Sequence, residues 1–329
     1  MRNLVKRNSN NLNNGNVIRK AVFSILILVV ALEAYGLDST SLGTSSEMMP
    51  WWGWSLLLFG FCFVLGIGAM IAGLGGGILY VPIVSALFPF HLDYVRGAGL
   101  LVVLSGALSA APRLLSSGLA SLRLALPMAL ASSLGSLIGA NVGLTLSSDM
   151  VEISLGLVIL AIVTLMVLAK QADYPLVPRP DPLALRLGIQ GSYVDASTGE
   201  KQVWNIHRLV PGFFIFFTIG FVAGIFGLGA GWANVPAMNL LLGVPMKVSV
   251  ATSILVIAIN GSTASLVYLN QGAVLPVIAV PSVLGMMLGT RIGSRVLLKI
   301  RAKIVRYTVI AFLVFIGLWQ ISSGTGVIW

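Results

Sequence analysis

The sequence predicts an all-α fold: a polytopic membrane helical bundle of two inverted repeats, each a glycine-broken hairpin plus three helices. Composition, an internal offset and the placement of positive charge predict it. Only 9% of the residues are charged, 57% are hydrophobic, and the mean hydropathy is +0.98. A water-soluble domain carries about a quarter charged residues. Long apolar runs between short polar loops point to spanning helices. The ten-residue alternation of a membrane barrel is absent. The net charge of +10 reads as cytoplasmic-side Lys and Arg rather than a nucleic-acid patch. One cysteine, Cys62, excludes an intrachain disulfide and a cysteine metal cluster.

Taken in order, residues 1–20 are polar, basic and rich in Asn, and the apolar run Ala21–Val30 follows. That run reads as a retained N-terminal anchor. A cut after Ala34 would leave Leu32 where a signal-peptide site needs a small residue. Residues 1–53 therefore form a basic tail with one extra helix. Trp51, Trp52 and Trp54 suit a membrane interface.

A first membrane repeat, 54–169, holds expected helices at 54–73, 78–88, 97–111, 124–146 and 151–169. The piece 78–88 would be only about 16 Å long, half the hydrocarbon thickness. The insert 170–208 is polar, with a proline-rich start and an expected β-hairpin around Ser197, Thr198 and Gly199. The second repeat, 209–329, has helices expected at 210–226, 232–243, 248–268, 273–290 and 304–322.

The two repeats superpose with a single offset. Gly73 lies 154 residues before Gly227, and that shift, without a gap, carries Gly66 onto Gly220 and Gly75 onto Gly229. It also carries Gly77 onto Gly231, Pro82 onto Pro236, Gly118 onto Gly272, Pro127 onto Pro281 and Gly135 onto Gly289. Glycine alone is common in membrane helices. One offset that also pairs the prolines marks an internal duplication.

Positive charge sets the orientation. If each glycine-rich stretch turns back to its starting side, 19 of the 20 lysines and arginines fall inside, and only Arg96 lies outside. If each is a single bent crossing, 13 fall inside. The hairpin arrangement satisfies the positive-inside rule. A hairpin plus three crossings is odd, so the second repeat starts on the opposite face. Inverted repeats with broken segments are an architecture of secondary transporters. The expected location is the cell membrane, multi-pass, with the N-terminus and 170–208 cytoplasmic.

The spans offer few reactive groups. Glu33 lies in the anchor, Asp149 and Glu152 at a helix end, and His91 and His207 near loops. The parts of a hydrolase triad or a catalytic metal site are missing, so no enzyme and no cofactor is expected. What remains is polar and neutral. The breaks at Gly75, Gly76 and Gly77 and at Gly229 and Gly231 free backbone N–H groups at the starts of half-helices. Such ends suit an anion; the competing reading is close helix packing through small residues. Tyr80 and Asn234 follow the two breaks, with Asn239 a further candidate.

On helix 248–268, Ser249, Thr252, Ser253, Asn260 and Thr263 share one face at 100° per residue. That face either lines a substrate path or bonds to a neighbouring helix. The first repeat has Ala98, Gly99 and Gly106 in place of Thr252, Ser253 and Asn260, so the site is expected to be asymmetric.

The stretches GIGAMIAGLGGGILYVP (66–82) and GFVAGIFGLGAGWANVP (220–236), the motif VATSILV (250–256) and the Gly–Pro–GxxxG segments at 118–139 and 272–293 resemble the TauE/SafE sulfite exporter family of anion permeases. The resemblance spans about residues 54–322. It implies export or uptake of sulfite, sulfonates or related small anions across the membrane. From the residues themselves, the anion is expected where the two breaks meet, held by backbone N–H groups near Gly75–Gly77 and Gly229–Gly231 with Thr252, Ser253 and Asn260 as side-chain donors, and moved by alternating access. The expected partners are a small-molecule anion and the lipid bilayer; no nucleic acid is expected, and a homo-oligomer is compatible with the sequence. A permease for a cation or another solute, and a non-transporting membrane scaffold bound through 170–208, are the alternatives.

Overall fold

Several helices of the two halves begin or end at matching positions. The structure, a computed structural model, describes residues 51–72, 77–88, 90–168, 179–194, 201–296 and 313–322, with 175, 177 and 325. The first half comprises α1 (Trp51–Ala72), α2 (Gly77–Leu87), α3 (Leu92–Ser116), α4 (Leu122–Thr145) and α5 (Ser148–Leu168). Then come the short α6 (Pro182–Arg186) and strands β1 (Gln190–Val194) and β2 (Lys201–Asn205). The second half has α7 (Leu209–Phe226), α8 (Gly231–Pro236), a wider π turn over Ala237–Leu241, α9 (Met246–Asn270), α10 (Pro276–Val296) and α11 (Leu313–Ser322).

Among the described residues seven helices, α1, α3, α4, α5, α7, α9 and α10, are long and apolar enough to cross a membrane. The bundle is therefore a polytopic helical one. The expected anchor at 21–37 and the turn of the β-hairpin lie outside the described residues.

The offset of 154 carries α3 onto α9 at both ends. It carries α2 onto the run Gly231–Leu241, and the start of α4 onto the start of α10. Helix α3 is longer than the sequence reading made it. Arg96 and Pro112 appear to bound it, yet both lie inside the helix. Arg96 is tolerated because it is buried with partners, and Pro112 falls in the last turns, where little helix remains to break.

The repeats interlock by exchange. Helix α1 packs most extensively on α10, and α7 on α4. At each interface small residues let backbones touch. A Cβ at Gly66 would lie 3.0 Å from the Met286 carbonyl oxygen, and one at Gly220 would strike the Ser132 carbonyl, its equivalent under the offset. Gly285 and Gly289 sit against Phe59 and Phe63, and Gly135 and Gly143 against Phe217 and Ile225. Residue numbers rise together in both pairs, so α1 runs parallel to α10, and α4 parallel to α7.

Helix α3 parallels α10, since Gly97 meets Ala273 and Gly106 meets Met286 and Thr290. Helix α9 parallels α4, joined by Thr252 with Ser121 and Asn260 with Ser132. Helices α3 and α9 cross in opposite senses, with Arg96 over Tyr268 and Leu104 against Gly261. One set of helices thus runs against the other. Because α1 and α3 share a direction, α2 lies on a returning stretch of chain between them.

The outer faces are apolar. Leu126, Leu130, Leu134 and Ile138 on α4 are exposed, as are Val280, Leu284, Leu288 and Ile292 on α10. These four pairs match under the offset. Stripes of this size have no place in water and fit lipid. Buried side chains form two main clusters. The first joins α1, α2, α3, α5 and α10; the second joins α3, α4, α7 and α9 with the insert.

Within the insert β1 and β2 pair antiparallel, Gly191 opposite Trp204. Tyr193, Trp204 and Ile206 are buried in the same cluster as Met238, Leu242 and Val244. The hairpin therefore rests on the turn after the π segment. Backbone bonds from His207 N–H to Leu242 O (3.1 Å) and from Asp181 N–H to Ile206 O (2.9 Å) fix it there. The Asp181 carboxylate also caps α6 and accepts from the first amide of α7, Leu209 (2.9 Å).

Candidate functional site

The second glycine break is described throughout. Helix α7 ends at Gly227, whose φ of 67° is left-handed, and Gly229 follows at φ 70°. A Cβ at Gly229 would also lie 2.7 Å from Val103 Cγ1 on α3. Both conformation and space require glycine there. Helix α8 then starts at Gly231, and its continuation through the π turn brings the helical run to eleven residues. Leu242 N–H reaches back five residues to Ala237 O (3.2 Å). Asn239 donates to Val244 O (2.9 Å), as does Ser249 (3.1 Å). Asn239 thus closes the turn into α9.

Two side chains on α8 lack hydrogen-bond partners among the described residues. Asn234 is fully buried, and among the described residues neither its amide nitrogen nor its oxygen has a hydrogen-bond partner. A buried amide without partners costs about 1–3 kcal/mol. Trp232 Nε1, two residues earlier, is also buried and unpartnered. The sequence reading passed over Trp232, since an indole in an apolar segment gives no signal of its own.

Under the offset Asn234 corresponds to Tyr80 in α2. Tyr80 is buried too, but its hydroxyl meets Ser282 Oγ on α10 at 3.1 Å. The position matching Ser282 in the first repeat is Met128, which has no hydroxyl to offer. The duplication kept two equivalent polar positions and satisfied one of them. Gly77 opens α2, whereas Gly75 and Gly76 lie outside the described residues.

The polar face of α9 is occupied within the protein. Thr252 Oγ1 accepts from the Ser121 amide (3.1 Å), and Ser253 donates to the Val250 carbonyl (3.0 Å). Thr263 donates to the Ile259 carbonyl (3.2 Å), and Asn260 donates to Ser132 Oγ. Thr252 and Asn260 fasten α9 to α4 and its capping loop; all of these residues except Thr263 are buried.

Arg96, the charge that topology alone leaves outside, is 1% exposed. Its Nη1 donates to the carbonyls of Gly143 (3.1 Å) and Ile225 (2.9 Å), and its Nη2 pairs with Asp93. These carbonyls belong to the last turns of α4 and α7, where the negative end of a helix dipole favours a cation. The guanidinium lies 5.9 Å over the Tyr268 ring, within cation–π reach. Tyr268 OH donates to Gly224 and Ile225 (both 3.1 Å). A Cβ at Gly227 would sit 2.5 Å from the Arg96 carbonyl oxygen, so this cluster abuts the break.

A model of the sulfite exporter TauE/SafE family matches residues 56–319. The chain belongs to this family. It is also 32% identical over 266 residues to the probable membrane transporter protein YunE of Bacillus subtilis (strain 168), covering 78% of this chain and 93% of that protein. No solved structure matches it. As a TauE/SafE protein it is a multi-pass membrane transporter, acting on a small molecule across a lipid bilayer. The match begins after residue 53 and runs through both repeats and the insert.

Proposed function

We propose that this TauE/SafE protein moves a small sulfur-containing anion, sulfite or an organosulfonate, by alternating access between inverted repeats. The observation that carries the site is Asn234: fully buried and without a partner among the described residues, next to a break whose first amides have no intrahelical acceptor. An anion would take the Asn234 amide N–H and backbone amides near Gly229 and Gly231. Under the offset, Gly77 and Tyr80 are the first-repeat counterparts of Gly231 and Asn234. Thr252 and Asn260 hold α9 against α4 beside it, with Ser253 on the same face of α9.

Donors of this kind are neutral and preorganised. They favour an anion without a fixed counter-charge, so release on the far side is not opposed by a strong ion pair. The opposed directions of α1 and α7 support inversion across the membrane. Rocking of the interlocked halves would then expose the site to each face in turn.

Counterflow in proteoliposomes tests the cargo. Preloaded sulfite, taurine or sulfoacetate is expected to accelerate entry of labelled sulfite, whereas sodium salts of inert anions and amino acids are not. Acceleration by amino acids or by the cation alone would overturn the anion reading. No movement of any solute, with binding of a partner lost on deletion of 179–206, would favour the scaffold instead.

A further inference from the structure

We infer that Arg96, with Asp93 and Tyr268, is a positioning latch that decides toward which end of the bundle the site opens. This rests on the alternating-access reading above, but on different residues. Arg96 and Asp93 belong to α3 of the first repeat; Tyr268 and the Ile225 carbonyl belong to α9 and α7 of the second. Any parting of the repeats at this end must break the Arg96–Ile225 bond and lift the guanidinium from Tyr268. Tyr268 ties back to α7 through Gly224 and Ile225. The backbone of Arg96 itself lies against Gly227, at the start of the break.

The duplication supplies an internal control. Shifting by 154 places Val250 where Arg96 would be, Lys247 in place of Asp93, and Leu114 in place of Tyr268. The side chains of Val250 and Leu114 offer no hydrogen bonds, so the equivalent positions carry no copy of the latch among the described residues. Two inverted repeats of equal composition would favour neither state. A charged latch at one end alone biases the equilibrium toward closure there, and so toward opening at the other. Separating a buried, hydrogen-bonded guanidinium from its partners leaves an uncompensated charge, whereas parting Val250 from apolar neighbours does not.

Access labelling separates this from a purely structural role. In a Cys62→Ala background, Val103→Cys and Ile257→Cys occupy equivalent positions about three turns from the starts of α3 and α9. Both native residues are buried. An impermeant maleimide is applied to oriented vesicles from each face in turn. Arg96→Gln is expected to raise labelling of Val103→Cys from the face where α3 begins, by about tenfold, a typical coupling between linked sites. It should lower labelling of Ile257→Cys from the other face. Tyr268→Phe, which keeps the ring but loses two hydrogen bonds, should shift both rates in the same senses by less. It decides the matter if Arg96→Gln does not fold.

Rates that rise together at both positions mean general loosening and would overturn the latch, as would no change at either. Labelling reads access rather than cargo, so its failure leaves the anion reading standing. Failure of the counterflow panel, in turn, leaves the latch standing.

Discussion

At the scale of single residues, the informative atoms are those whose partners are missing or unexpected. Asn234 could be named from sequence because it follows a glycine break, but its isolation could not. Tyr80, its counterpart, has Ser282 as a partner, and the offset puts Met128 at the position equivalent to Ser282. That isolation leads to an unusual expectation. Asn234→Leu should leave the melting temperature in detergent unchanged or higher, because it removes a buried group worth about 1–3 kcal/mol unpaired. The same change should cut transport about tenfold or more, since a hydrogen bond to a charged group contributes about 1.5–3 kcal/mol. Asn260→Leu should do the reverse, leaving Ser132 unpaired and costing about 1–3 kcal/mol of stability, read as an earlier melt. Arg96 shows the opposite error of sequence reading. Counting charges treats each as solvated, and Arg96 is not. Asp93 three residues before it, on the same helix face, is the signal that could have shown this.

At the scale of elements, the duplication made most boundaries legible. The offset found in glycines and prolines is reproduced by the helices themselves, and both short half-helices begin at glycine. The π turn was not legible, because it arises where Pro236 withholds an amide and Asn239 captures Val244 instead. The polar face of α9 was legible as a face, but not its use: bonding to α4 and lining a path require the same residues. Helix contacts follow the small residues. Gly220→Ala drives a methyl into the Ser132 carbonyl, where neither backbone can yield, and should cost about 1–3 kcal/mol as overpacking. Gly66→Ala meets Met286 at 3.0 Å and should cost less. Thermal melts of the two variants, compared side by side, check the order; equal or reversed losses would mean that the two interfaces are not related as described.

At the scale of the whole molecule, the exchange of helices between repeats makes one machine of two halves. Neither half can bury α1 or α7 alone, since each packs on the other's third long helix. Which helices would pair was not readable from sequence, because any two apolar helices of a duplication could. Inversion is checked at equivalent loops: Ser117→Cys and Gln271→Cys should label from opposite faces of oriented vesicles, and labelling from one face would refute it. The central claim is that an anion occupies the site beside Asn234. The most direct measurement is counterflow of labelled sulfite by purified wild-type and Asn234→Leu protein in the same proteoliposomes, with melting curves of both. The account predicts rapid counterflow by the wild type and a loss of about tenfold or more in a variant that melts no earlier. Undiminished counterflow by a well-folded Asn234→Leu protein would contradict it.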